Sequence, residues 1–237
     1  MLAVIAASGV VTGAGRAAHA QRCPRMDAGA SAQLEDVDGR VRLHWIDARL
    51  MRQRERALIW SWTWGSTFAA AGVASLIALP LDSKDARVDW YVSAFSAAVG
   101  VIPFVAAPLA VMKDAKDLHA RLATDVRDDQ VCALLADAET RLVRDARDEA
   151  FGQGWWIHAG NVAFNTGVFL FLGVGFHRWE SAIINGAAGL VVGEAMILTQ
   201  PTGSIDDLGN YRAGKLWGGN FSISGRWNIG RGLVLHF

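Results

Sequence analysis

The stretch AFGQGWWIHAGNVAFNTGVFLFLGVGF, residues 150–176, decides the fold, because it contains no Asp, Glu, Lys or Arg. It exceeds the roughly 20 residues that a helix rising 1.5 Å per residue needs to cross the hydrocarbon core of a bilayer. Its pair Trp155 and Trp156 marks one edge. Indole settles at the headgroup level, where the ring is half buried and the N–H stays in water. Three other stretches also lack Asp, Lys and Arg: 57–81, 90–112, and 181–205, whose membrane part is 181–201. They open on Trp60, Trp62 and Trp64, on Trp90 and Tyr91, and on Trp179. The sequence therefore predicts an all-α integral membrane protein with four transmembrane helices, and the lipid bilayer is its first partner.

The spans pair in sequence. LDSKDARVD joins the first two and HRWE the last two, connections short enough to make each pair an antiparallel hairpin. A charged, amphipathic arm precedes each hairpin, at 34–56 and at 130–149. In the second arm Val131, Leu135, Ala138 and Leu142 fall at helical spacing. DARL at 47–50 resembles ETRL at 139–142, and Trp60, Gly65 and Gly72 match Trp155, Gly160 and Gly167 at one constant offset. The chain thus reads as two parallel arm-plus-hairpin repeats, 34–112 and 113–201, after a flexible linker at 21–33. Small residues let helix backbones approach where lipid supplies no hydrophobic drive between them. Gly65, Gly72, Gly160, Gly167, Gly186, Gly189 and Gly193 are the positions expected to do so.

Composition narrows the function. The chain has 237 residues, 52% of them hydrophobic, and Lys+Arg and Asp+Glu both number 23. Zero net charge argues against a nucleic-acid partner, because phosphate binding needs a basic excess. There is no Walker loop, His-Glu-x-x-His, Gly-x-Ser-x-Gly or Cys-x-x-Cys, so no metal, cofactor or catalytic motif is expected.

Two rules disagree on orientation. Residues 1–20 read as a signal peptide, an apolar block followed by Ala18-His19-Ala20, although no Lys or Arg precedes that block. Cleavage there would leave the arms and the C-terminus on the periplasmic side of a bacterial-type inner membrane. The positive-inside rule argues the reverse: arm one carries Arg40, Arg42, Arg49, Arg52, Arg54 and Arg56, against Lys84, Arg87 and Arg178 in the hairpin loops. The cleavage pattern is the more specific feature and takes precedence. Cys23 and Cys132 pair as a disulfide in an oxidising compartment or remain two thiols.

Residues 202–237 form a glycine-rich tail. Phe221 and Ile223 alternate with polar residues, as do Trp227, Ile229, Leu233, Leu235 and Phe237, the pattern of a small β-hairpin. This ending resembles the last strand of outer-membrane barrel proteins, over about ten residues, but one hairpin cannot close a barrel. The tail packs on the arms, docks a partner as a strand, or points to an outer-membrane association.

One acid, Glu194, interrupts the fourth span. A charge at the bilayer centre costs about 3 kcal/mol on insertion scales. Folding the second hairpin about Arg178 brings Asn161 level with Glu194. His158, Asn161 and Asn165 share a helix face at i, i+3 and i+7, so all four residues are expected to converge. The first repeat has Thr63, Ser66, Ala69 or Ala70, and Ala106 at the matching places, so the halves differ chemically. The leading expectation is a non-enzymatic envelope scaffold or assembly subunit whose arms meet a second copy or an envelope partner. The alternative is a small oligomeric transporter or channel working through the cluster. The third is an intramembrane enzyme using Glu194 and His158 as acid and base.

Overall fold

A computed structural model describes residues 21–84, 86–216, 226–228 and 232–234. The expected signal peptide at 1–20 and the alternating residues Phe221, Ile223, Ile229, Leu235 and Phe237 lie outside the described residues.

Helix α1 (Gly39–Ala78) runs for 40 residues, about 60 Å at helical rise. Asp38 caps it by accepting from the backbone N–H groups of Arg40 and Val41. No glycine pair or proline interrupts it before Pro80, so the first arm and the stretch after it are one rod rather than two elements. Helix α2 (Arg87–Ala106) returns alongside it. Pro108 drives Ala107 out of the helical region and ends α2 short of the expected 112. Helix α3 (Val111–Leu122) follows, then α4 (Asp128–Gly152). Helix α5 (Trp155–Leu170) starts afresh after a break at Gln153 and Gly154, where two glycines of low helix propensity flank a single residue. The expected continuous span from 150 is thus cut at its start. A π turn (Phe171–Gly175) leads into α6 (Trp179–Leu198) and α7 (Gly203–Arg212). Strands β1 (Arg226–Asn228) and β2 (Gly232–Val234) pair antiparallel, with Trp227 opposite Leu233.

Two regions with opposite burial result. Residues 39–56 of α1 pack with α3, α4 and α7 into a helical head. Leu43, Ile46 and Leu50 from α1 meet Leu118 from α3 and Leu135 and Leu142 from α4, each at 2% exposure or less. Each such side chain stabilises the fold by about 1.5–3 kcal/mol relative to exposure. The apolar faces of the two arms are therefore spent on each other.

The remainder of the chain inverts this pattern. Apart from Met26, every exposed large hydrophobic side chain among the described residues lies between Ile59 and Val105 or between Phe151 and Leu198. Among the described residues three helical runs, Arg87–Leu122, Asp128–Gly175 and Trp179–Arg212, are long and apolar enough to cross a membrane, and their most apolar windows are only 11%, 22% and 17% buried. An apolar surface of this extent is stable in lipid and not in water. The count is three rather than the expected four. The outlying stretch is 57–78 of α1, where Trp60, Ser61, Trp62, Thr63, Trp64, Ser66 and Thr67 dilute the aliphatic residues.

The head is tied by polar contacts. Arg42, fully buried, pairs with Glu139, donates from Nε to Tyr211 Oη at 2.9 Å and from Nη1 to the Cys23 carbonyl at 2.9 Å. Cys23 and Cys132 are disulfide-bonded across 109 residues of chain. Gly39 makes room for that bridge, since a Cβ there would stand 2.6 Å from Cys23 Sγ. The last turn of α4 serves both short helices. Asp148 accepts from the Ala110 N–H at the start of α3 (2.8 Å) and Glu149 from the Ser204 N–H at the start of α7 (2.7 Å). A carboxylate at a helix start satisfies donors that the helix itself leaves open.

Candidate functional site

The four polar residues singled out in the spans meet between α5 and α6. His158 lies in the first turn of α5 and Glu194 in the last turn of α6, at the head end of both helices. His158 Nδ1 stands 2.6 Å from Glu194 Oε2, a separation that requires one proton between them. Asn161 Nδ2 donates to Glu194 Oε1 at 2.9 Å and to the Leu190 carbonyl at 3.1 Å. Asn165 Nδ2 donates to Asn161 Oδ1 at 2.8 Å and to the Asn161 carbonyl at 2.9 Å. Both carboxylate oxygens of Glu194 are thus engaged, and each amide backs the next. The His158 and Glu194 side chains keep 29% exposure, while Asn165 is buried.

The glycines of α6 create the space. A Cβ at Gly189 would stand 2.0 Å from Asn165 Oδ1, and one at Gly193 would stand 2.2 Å from Asn161 Oδ1. Gly186 lies against Phe169, Gly65 against Phe104 and Gly72 against Ala97. Gly160 and Gly167 do not pack helices together, because nothing lies within 4 Å of a Cβ built at either. Gly167 instead lines a groove between α5 and α2.

The hairpins are joined at both ends. At the head end Trp60 Nε1 donates to the Met196 carbonyl (3.2 Å) and Trp64 Nε1 to Thr199 Oγ1 (3.0 Å). At the loop end Arg178 Nε donates to Asp89 Oδ1 at 2.9 Å, and Ser181 Oγ donates to Asp89 Oδ2 at 2.8 Å. One turn deeper Ser93 Oγ donates to Asn185 Oδ1 at 2.9 Å. Sequence reasoning missed this second polar level. Asp89 immediately before Trp90 was its signal, an acid at the mouth of a span.

Chemically the cluster can fasten two helices or pass a proton between carboxylate and imidazole. Among the described residues no three His, Cys, Asp or Glu side chains gather so as to hold a metal ion. Comparison with protein families, with characterised proteins and with solved structures finds no match to this chain.

Proposed function

We propose that this chain is a non-enzymatic, multi-pass assembly subunit of a bacterial-type inner membrane, a helical head held on two membrane hairpins. In this reading 57–78 of α1 is the fourth span. Its packing against α2, Gly72 on Ala97 and Gly65 on Phe104, supports that, as do the exposed Ile59, Trp62, Val73, Leu76 and Ile77. The order arm, span, span, short head helix occurs twice, α1–α3 and α4–α7, which supports a parallel repeat. The halves are not copies in detail, since the arm runs unbroken into its span only in the first.

The disulfide supports a periplasmic head, because such bonds persist in oxidising compartments. It sides with the cleavage pattern against the arginine count. Six arm arginines argue for the cytoplasm, yet Arg42 is buried and Arg49 pairs with Asp207. With the arms' apolar faces closed on one another, a second copy or an envelope partner would meet the charged faces of the head.

The observation that carries the non-enzymatic reading is the completeness of the Glu194 network: two oxygens, two donors, and glycines shaped to hold the amides. Such intramembrane hydrogen bonds are each worth about 1 kcal/mol or less. Glu194→Gln and Asn161→Ala are therefore expected to lower the melting temperature in detergent by a few degrees without changing proton or ion flux in proteoliposomes. Loss of a proton current in Glu194→Gln with unchanged melting would replace this reading by the transporter.

A further inference from the structure

An apolar groove of about 510 Å³ opens between α2 and α5. Val88, Tyr91 and Phe95 form one wall and Phe164, Gly167 and Phe171 the other. Its volume is within the roughly 300–1,000 Å³ of small-ligand sites. It extends only about 10–12 Å along either helix, from Val88 to Phe95 and from Ala163 to Phe171. That is too short to seat a membrane helix and long enough for the upper part of an acyl chain.

Arg87 is the cation next in sequence to the groove lining. Arg87 begins α2, one residue before Val88 and one turn before Tyr91, and its Nε is buried without a hydrogen-bond partner. The acids nearest in sequence among the described residues are committed elsewhere, Asp89 to Arg178 and Ser181, and Asp82 to Trp90. Among the described residues no side chain caps the α2 N-terminus, whose N–H groups carry partial positive charge. A cation at the rim above an apolar trench has the polarity of a phospholipid, phosphate at the boundary and chain beneath it. Gly167 keeps the trench open, since nothing lies within 4 Å of a Cβ there.

We propose that the groove between α2 and α5 holds an acyl chain of an anionic phospholipid whose phosphate rests on Arg87 and the open N-terminus of α2. The proposal rests on the reading that α2 and α5 lie in lipid. It is tested by native mass spectrometry of the delipidated full chain in detergent, titrated with dioleoylphosphatidylglycerol or dioleoylphosphatidylcholine. The wild type is expected to retain one phosphatidylglycerol in preference to phosphatidylcholine. Arg87→Gln removes a charge-assisted contact and is expected to weaken phosphatidylglycerol binding about tenfold and abolish the preference. Gly167→Leu fills the trench and is expected to weaken both lipids alike, with Ala163→Leu as a second filling variant and circular dichroism confirming the fold. Equal binding of both lipids by the wild type, or unchanged binding in the Arg87 and filling variants, would overturn the assignment. So would an altered copy number in Gly167→Leu with lipid binding intact, which would give the groove to a second copy. A chain that stays dispersed without detergent would instead overturn the reading of the spans.

Discussion

At the scale of single residues, the head buries acids that its leucine core does not require. Asp145 on α4 is 1% exposed and neither carboxylate oxygen accepts a hydrogen bond. Burial pushes its carboxyl well up, and the Asp114 carboxylate on α3 pushes the same way, with Glu149 adding a smaller like-charge effect and Arg144 opposing. Asp114 is itself committed to Arg141 and Arg144. Glu149 is pushed to about 7, because burial outweighs its bonds to Ser204 and Ile205. Both acids have folded values above their unfolded values near 4, so between about pH 4 and 7 the folded state binds more protons. Their contribution is complete below that window and fades as pH rises through it. The melting temperature is expected to fall as pH rises from about 5 to 8, by circular dichroism in detergent. Asp145→Asn should flatten that slope and stabilise the head at the alkaline end by about 1–3 kcal/mol. A wild-type melting temperature that climbs across the window would contradict this charge assignment.

Among elements, the α5–α6 contact is a fitted joint and the outer face of α5 is not. Gly193→Leu drives a side chain into Asn161 Oδ1 and should cost about 1–3 kcal/mol, reported by an earlier melting transition. Gly160→Leu points into open space and should stay within about 0.5 kcal/mol of wild type. Equal effects would contradict the placement of the two faces. The apolar spacing that marks the spans is legible in the sequence, and so is the level at which Asn161 meets Glu194, because a short hairpin fixes that level by rise alone. The faces of Gly160 and Gly167 were not legible, since a small-residue stripe is the same string of letters whether a helix or lipid lies against it. Helices α3 and α7 were hidden for another reason. Val111, Ala115, Leu118 and Leu122 carry the α3 stripe, but it begins inside residues that extend the preceding apolar run. In α7, Ile205, Leu208 and Tyr211 are few among glycine and polar residues, and the helix depends on Glu149 at its start.

For the molecule as a whole, one long helix joins a closed core to an exposed apolar surface. The first half of α1 buries Leu43, Ile46 and Leu50, and its second half exposes Ile59, Trp62, Leu76 and Ile77. A chain that gathers its leucines into a closed core in one half and turns them outward in the other is matched to water and to lipid in turn. In the proposed orientation the arginine count carries less weight, because positive-inside counting treats every arginine as exposed, whereas the head folds several of them into ion pairs with Glu139, Asp207 and Asp128. The central claim is that α2, α5 and α6 lie within a bilayer, and washing membranes with alkaline carbonate tests it most directly. The account predicts that the chain stays in the pellet and leaves it only with detergent; its release into the supernatant as a folded, detergent-free protein would contradict the account.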